Sequence, residues 1–187
     1  MVVHTTAPGQ WPGRKSGIDS MTSNAASTSR HAGVVPPNAN SAKAVESAAR
    51  LADEAEKILV GYLHPGRWPA ARTARRFLDS GDLERVLSLY TRAMESDPRE
   101  PAYPWNLASS LDRLRLPDLA LIFIRRAIRV AEETDDREWA GADVHLACAD
   151  IARHAGDSEM AELALHRARE IDPQAGRRHT RGTAPGR

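Results

Sequence analysis

The chain has 187 residues, of which 41% are hydrophobic and 5% aromatic, and its formal net charge at pH 7 is +1. This length predicts one domain, and a core built mainly from Ala, Leu, Ile and Val because aromatic residues are few. Residues 1–43 sum to +3 and residues 176–187 to +4, so the stretch between them carries −6. The single cysteine, Cys148, excludes an intrachain disulfide and a cysteine-rich zinc site.

The first part of the chain shows no regular pattern. Residues 1–40 are rich in Ser, Thr, Pro, Gly and Asn without a helical or strand period, so we predict a disordered lead. They lack the hydrophobic centre of a secretion signal, and no apolar run approaches the ~20 residues of a membrane span. We therefore expect a cytoplasmic protein that does not enter a membrane. Met1 and Met21 are alternative starts of translation that the sequence does not separate.

The first predicted helix spans residues 41–62. Ser41 is a plausible N-cap, and His64-Pro65-Gly66 ends the helix. Small and apolar residues recur inside it at steps of three and four, as on one face of an amphipathic helix: Val45, Ala48, Ala52, Ala55, Ile58 and Leu59. We expect this helix to pack in front of the following ones as an N-terminal cap.

Short breakers divide the chain that follows into further helices. They are Ser80-Gly81-Asp82, Asp97-Pro98, Pro117, Gly156-Asp157 and Asp172-Pro173. Asp135 and Glu138 have the spacing of a capping box, which predicts a helix start near Asp136 and places Trp139 on an overhang. Ordinary variation in length between repeated units explains the extra residues in this segment equally well. Because no segment sustains a two-residue alternation, the fold class is predicted to be all-α.

Self-similarity is the strongest pattern in the chain. Four sets of positions share one offset of 34 residues and a second of 41. The sets are Ala74, Ala108 and Ala149; Val86, Ala120 and Ala161; Tyr90, Ile124 and Leu165; and Ala93, Ala127 and Ala168. This agreement indicates a 34-residue unit, with seven residues inserted between the second and third copies.

The period and the small residues at these positions resemble the tetratricopeptide repeat (TPR) family. Pro98 and Pro173 match the proline that closes each repeat, whereas Glu132 departs from it, and Thr73 and Cys148 stand where leucine is usual. The resemblance implies a right-handed α-α superhelix of about three helix hairpins over residues 67–175. Its repeats are 67–100, 101–134 and 142–175.

The resemblance also implies a binding role, since the first helices of stacked hairpins line a concave face. The groove residues carried over from the family are Trp68, Arg75, Trp105, Asn106, Ser109, Asp112, Asp143, Asp150 and Arg153. Three aspartates among them predict a neutral or basic ligand. The two tryptophans have two equally supported interpretations: anchors for a partner, or cover for gaps that the small core residues leave.

Catalytic and metal-binding patterns are weak in this sequence. His145 and Cys148 stand three residues apart, a spacing that metal ligands use, but both fall on core positions of the repeat, so packing is the preferred interpretation. A glycine-rich phosphate loop, a hydrolase elbow and an HExxH motif are not found. We expect no enzyme activity, no cofactor and no metal.

The expected partner is another protein, bound by an adaptor or scaffold. The alternative is an accessory or regulatory subunit of a transcriptional or enzymatic complex. Leu163, Leu165 and Ile171 of the last repeat suggest a homo-oligomer if they are uncovered. Residues 176–187 are predicted to be a disordered basic tail, and nucleic-acid binding is not expected because four charges without a structured basic face are weak evidence for it.

Overall fold

A computed structural model describes residues 39–64, 70–137 and 139–175, which contain seven α-helices and no strand. All of them lie in one of the two compact units of the chain, Pro37–Arg187. The helices are α1 (Ala39–Leu63), α2 (Ala70–Asp79), α3 (Asp82–Ser96), α4 (Ala102–Arg113), α5 (Pro117–Thr134), α6 (Ala142–His154) and α7 (Ser158–Ile171). The all-α prediction is confirmed. The predicted disordered lead up to residue 38, Trp68 and the tail 176–187 lie outside the described residues.

The helix ends follow local chemistry. Pro117 occupies the first turn of α5, where its missing N–H costs nothing. The Asp157 side chain caps α7 by accepting a hydrogen bond from the Met160 backbone N–H at 2.9 Å. The predicted helix start near Asp136 is wrong. Asp135 has a φ of 52° and terminates α5, while the Asp136 N–H donates to the Ala131 carbonyl at 3.0 Å.

One turn recurs between the first and second helices of the three copies. Gly81, Arg115 and Gly156 have φ values of 77°, 62° and 76° and stand at the same offsets of 34 and 41 residues as the core positions. In the second and third copies the following N–H closes the same wide turn: Leu116 donates to the Leu111 carbonyl and Asp157 to the Ala152 carbonyl, both at 2.9 Å. The backbone conformation of this turn therefore shows the same repeat as the core side chains.

The core includes the positions that the sequence offsets had aligned. Of the twelve, eleven are buried, at 8% exposure or less. Ala108 and Ala120 lie in the α4–α5 hairpin, and Ala149 and Ala161 in the α6–α7 hairpin. Buried alanine on both helices of each hairpin allows the two axes to approach closely.

The exception is Ala74 on α2, which is only half-buried. Helix α3 packs along α1 and makes little contact with α2, so α1 supplies the small residues of the first hairpin. Ala52 and Ala55 on α1 are 5% and 0% exposed. The prediction that α2 and α3 form the first hairpin is therefore wrong. Helix α1, which was expected to be a cap, is the main partner of α3.

Helix α2 instead covers the end of the α1–α3 pair. It buries Thr73 and Phe77, and the Phe77 ring meets Tyr62 of α1 edge to face with centroids 5.0 Å apart. The Tyr62 hydroxyl lies 3.0 Å from Ser80 Oγ and also hydrogen-bonds the Asp82 carboxylate. Hydrogen bonds that the Asp82 carboxylate accepts, first from the Tyr62 hydroxyl and second from Ser80 Oγ, lower the pKa of Asp82.

Candidate binding surfaces

Helices α4 and α6 are the first helices of the two regular hairpins. Of the nine residues predicted to face a partner, these two helices carry six with polar side chains. All six are at least partly exposed. We call them the first-helix face: Asn106, Ser109, Asp112, Asp143, Asp150 and Arg153. The face is polar, and it is held by contacts from α1 and from α6 itself.

The α1 edge of this face is held by Glu56. Its Oε1 atom accepts a hydrogen bond from Asn106 Nδ2 at 3.1 Å and one from the Tyr90 hydroxyl at 3.5 Å. Burial raises the pKa of Glu56, and the charge of Asp53 raises it further, while the hydrogen bonds from Tyr90 and Asn106 lower it. Asn106 is therefore fixed in position by a half-buried carboxylate that joins α1, α3 and α4.

A second set of side-chain contacts joins α4 to α6. His154 Nδ1 lies 2.8 Å from Asp112 Oδ1, and Arg153 forms an ion pair with Asp150 on its own helix. Two of the three aspartates predicted to make the face acidic thus have a basic neighbour. Asp143 is exposed and, within the described part of the chain, has no ion pair. The negative charge of the first-helix face is concentrated at Asp143.

Of the three remaining candidates, Trp68 lies outside the described residues, and Trp105 and Arg75 do not belong to the first-helix face. Trp105 is 4% exposed, and its ring meets Trp139 edge to face with centroids 5.7 Å apart. It therefore packs as cover over small core residues and offers little surface as an anchor. Arg75 is exposed on α2 and pairs with Asp79 at 3.6 Å, so it belongs to the surface of α2 and not to the first-helix face.

Two hollows in the described surface lie on the second helices instead. One, of about 390 Å³, lies between α5, α6 and α7, and the other, of about 640 Å³, lies between α5 and Pro98. Arg125 and Arg129 line both. These arginines were not among the predicted binding residues. The pattern Arg125-Arg126 with Arg129 one turn later was visible, but the hollows beside them depend on how α7 and the end of α3 pack.

The smaller hollow contains His145 and Cys148, the pair considered as metal ligands. Burial raises the pKa of the Cys148 thiol to about 11 and lowers the pKa of His145. Both groups are therefore neutral at pH 7. Over residues 39–64, 70–137 and 139–175, no three His, Cys, Asp or Glu side chains converge as a metal site would require.

Among the described helices, none combines the length and apolarity that crossing a bilayer requires. No family model matches the chain, and no curated protein matches it. Solved structures do match, and one of them is the N-terminal domain of stress-induced protein-1 (STI-1) from C. elegans. It is 17% identical, with a TM-score of 0.46, over 70% of this chain and 95% of that domain. Similarity at this level does not assign the chain to a family.

Proposed function

We propose that the chain is a protein-interaction module of the TPR kind, acting as an adaptor or scaffold, and that the first-helix face binds a neutral or basic peptide or domain of a partner. The observation that carries this proposal is the hydrogen bond between Asp112 and His154. It connects the C-terminal ends of the first helices of the two regular hairpins, which supports the proposal that their polar side chains form one binding surface.

The chemistry of the face supports a binding role. Asn106 and Asp112 are positioned by partners on other helices, which reduces the side-chain entropy that a ligand would otherwise have to restrict. Asp143 supplies an exposed negative charge without an intramolecular partner among the described residues, and such a rim charge contributes to partner choice and to the association rate. A cytoplasmic location belongs to the same proposal.

The test begins with capture of proteins from the native host on the full chain and identification of what is retained. The affinity of the identified protein is then measured for the chain, for the Asp143→Arg/Asp150→Arg variant and for the Glu95→Arg/Glu162→Arg control. The control makes the same charge change on exposed residues of α3 and α7. We expect the first variant to bind about tenfold more weakly, which corresponds to ~1.4 kcal/mol, and the control to bind normally. Equal affinity of both variants would exclude the first-helix face.

A second candidate function is an accessory subunit that self-associates through the last hairpin. Leu163 and Ile171 on α7 are 62% and 42% exposed, which favours this alternative, whereas the third predicted residue, Leu165, is buried at 8%. Sedimentation velocity over a wide concentration range tests it. A Leu163→Ser/Ile171→Ser variant that remains monomeric while the parent chain dimerises would support it, and a parent that is monomeric at all concentrations would rule it out.

A further inference from the structure

The outer surface of α5 and α7 combines features that the proposed function does not use. Arg125, Arg126 and Arg129 are exposed on α5, and none forms an ion pair within the described part of the chain. Other exposed arginines vary: Arg167 is paired with Glu170 at 2.9 Å, while Arg92 and Arg169 form no ion pair among the described residues either. We call the α5 residues Arg125, Arg126 and Arg129 the arginine row.

Apolar surface lies directly beside the arginine row. Ile122 of α5 is 61% exposed and borders the larger hollow, while Leu163 of α7 is 62% exposed and borders the smaller one. Ile128, Met160 and Ala164 add apolar side chains to the smaller hollow. Large apolar groups left in water beside unpaired charges are the composition of a protein contact surface rather than of a solvated helix face.

The volume and the charge of the smaller hollow determine which kind of ligand fits it. A volume of about 390 Å³ admits one or two large side chains. His145, which lines the hollow, is neutral, so the positive charge comes from the arginines that line it. Glu132 is the one acidic residue that lines this hollow, against Arg125, Arg129 and Arg167. A ligand that fits therefore carries an apolar side chain flanked by negative groups.

The spacing of the arginine row matches a helix. Arg125 and Arg129 are one turn apart on α5, so their side chains leave the helix ~5–6 Å from each other. Carboxylates four residues apart on a partner helix have the same spacing, and arginine binds carboxylates through paired, charge-assisted hydrogen bonds. An amphipathic helix thus meets both requirements at once, with its apolar face toward Ile128 and Leu163 and its acidic flank toward the arginine row.

We propose that the surface of α5 and α7 around Arg125, Arg129 and Leu163 is a second docking site, which binds an acidic amphipathic helix of a partner protein. The termini of this chain are not the occupant, because residues 1–43 and 176–187 carry net charges of +3 and +4 and would be repelled. Nucleic acid is disfavoured as a ligand since a phosphate backbone gains nothing from the apolar hollow or from Ile122 and Leu163.

The test uses a phage-displayed library of peptides of about 16 residues, long enough for four helical turns, selected on the full chain. Enriched sequences are expected to carry large apolar residues at helical spacing with Asp or Glu four residues apart. Their affinity, measured by fluorescence anisotropy, should fall at least about tenfold with Arg125→Glu/Arg129→Glu and also with Leu163→Ser. The matched control Arg72→Glu/Arg169→Glu makes the same charge change on exposed residues outside both hollows and should bind normally.

Several results overturn the proposal. They are a library that yields no enrichment, peptides that bind the arginine variant and the control equally, and tighter binding of anionic vesicles or random duplex DNA than of any selected peptide. Self-association of the chain in sedimentation velocity that the selected peptide abolishes would identify a second copy as the occupant and also overturn it. Asp143→Arg on the first-helix face leaves peptide binding unchanged, which separates this site from the proposed one, and circular dichroism of each variant verifies folding.

Discussion

His154 at the end of α6 lies 2.8 Å from Asp112 near the end of α4, and this pair connects two helices whose residues are 42 positions apart in sequence. Its two side chains are 49% and 21% exposed, so solvent screens the interaction. We expect Asp112→Ala to lower the free energy of unfolding by about 0.5 kcal/mol and a double-mutant cycle with His154→Ala to give a coupling of roughly 0.2–1 kcal/mol. Urea unfolding measures both, and a coupling of zero would show that the pair does not hold α4 to α6.

The small residues at the helix contacts give a second prediction. Ala108 and Ala149 are fully buried, and replacing either by leucine is expected to destabilise the chain by about 1–3 kcal/mol because the packed helices must separate. Ala74 occupies the same position of the first copy but is half-buried. Ala74→Leu should change stability by less than about 0.5 kcal/mol. A large loss for Ala74→Leu in thermal or urea unfolding would contradict the pairing of α3 with α1.

Ala74 also marks the limit of what sequence offsets can predict about the fold. Helical period, breakers and the 34-residue spacing located the helices apart from the start of α6, and they located eleven of the twelve aligned core positions. The partner of α3 was a choice between α1 and α2, both of which precede it with an apolar face. That choice depends on which face fits α3 in three dimensions, and periodicity contains no information about it.

The candidate surfaces likewise combine residues that the sequence predicted with contacts that only the fold shows. Asn106 and Asp112 were predicted from their repeat positions, but their partners Glu56 and His154 stand 50 and 42 residues away, and nothing in the sequence joins those pairs. Trp105 was assigned to a groove from its repeat position, with anchor and gap cover as equal interpretations, and it lies 4% exposed against a loop residue, Trp139. The arginine row was readable as sequence and became a candidate site only once α7 placed Leu163 beside it.

The repeated turn gives a third prediction. Arg115 has a φ of 62°, a conformation in which its Cβ crowds the backbone, whereas glycine fills the same position as Gly81 and Gly156. We expect Arg115→Gly to stabilise the chain by on the order of 0.5–1 kcal/mol, after the greater freedom of glycine in the unfolded chain is deducted. Gly156→Ala should cost about 1 kcal/mol through the backbone alone, since a Cβ there meets no atom within 4 Å. Destabilisation by Arg115→Gly in urea unfolding would contradict this account.

Cys148 gives a prediction about reactivity. Burial raises the pKa of its thiol to about 11 and leaves the residue 1% exposed. Since the thiolate is the species that reacts, alkylation by iodoacetamide at about pH 8 should be at least ~100-fold slower in the native chain than in guanidinium chloride. Mass spectrometry follows the modification. Rapid labelling of the native chain would show that the hollow between α5, α6 and α7 opens widely enough to admit reagent and solvent.

Glu56 holds the α1 edge of the first-helix face, and its effect on the free energy of unfolding depends on pH. Because burial raises its pKa in the folded chain above that in the unfolded chain, the folded chain holds this proton more tightly. The contribution of Glu56 to stability is therefore greatest at acidic pH and decreases as pH rises through the raised pKa. Glu56→Gln keeps an oxygen that accepts hydrogen bonds from Asn106 and Tyr90, and it removes the half-buried negative charge.

We expect Glu56→Gln to raise the melting temperature near neutral pH and to have no effect at about pH 4, where the parent carboxyl is largely protonated. Differential scanning calorimetry at both pH values measures the difference. Asn106→Ala is the companion variant: it removes a hydrogen bond that favours the carboxylate, so it should destabilise the chain by about 1 kcal/mol near neutral pH and by less in acid. A stabilisation by Glu56→Gln that is equal at both pH values would show that the substitution acts through packing, because a charge effect must disappear when the carboxyl is protonated.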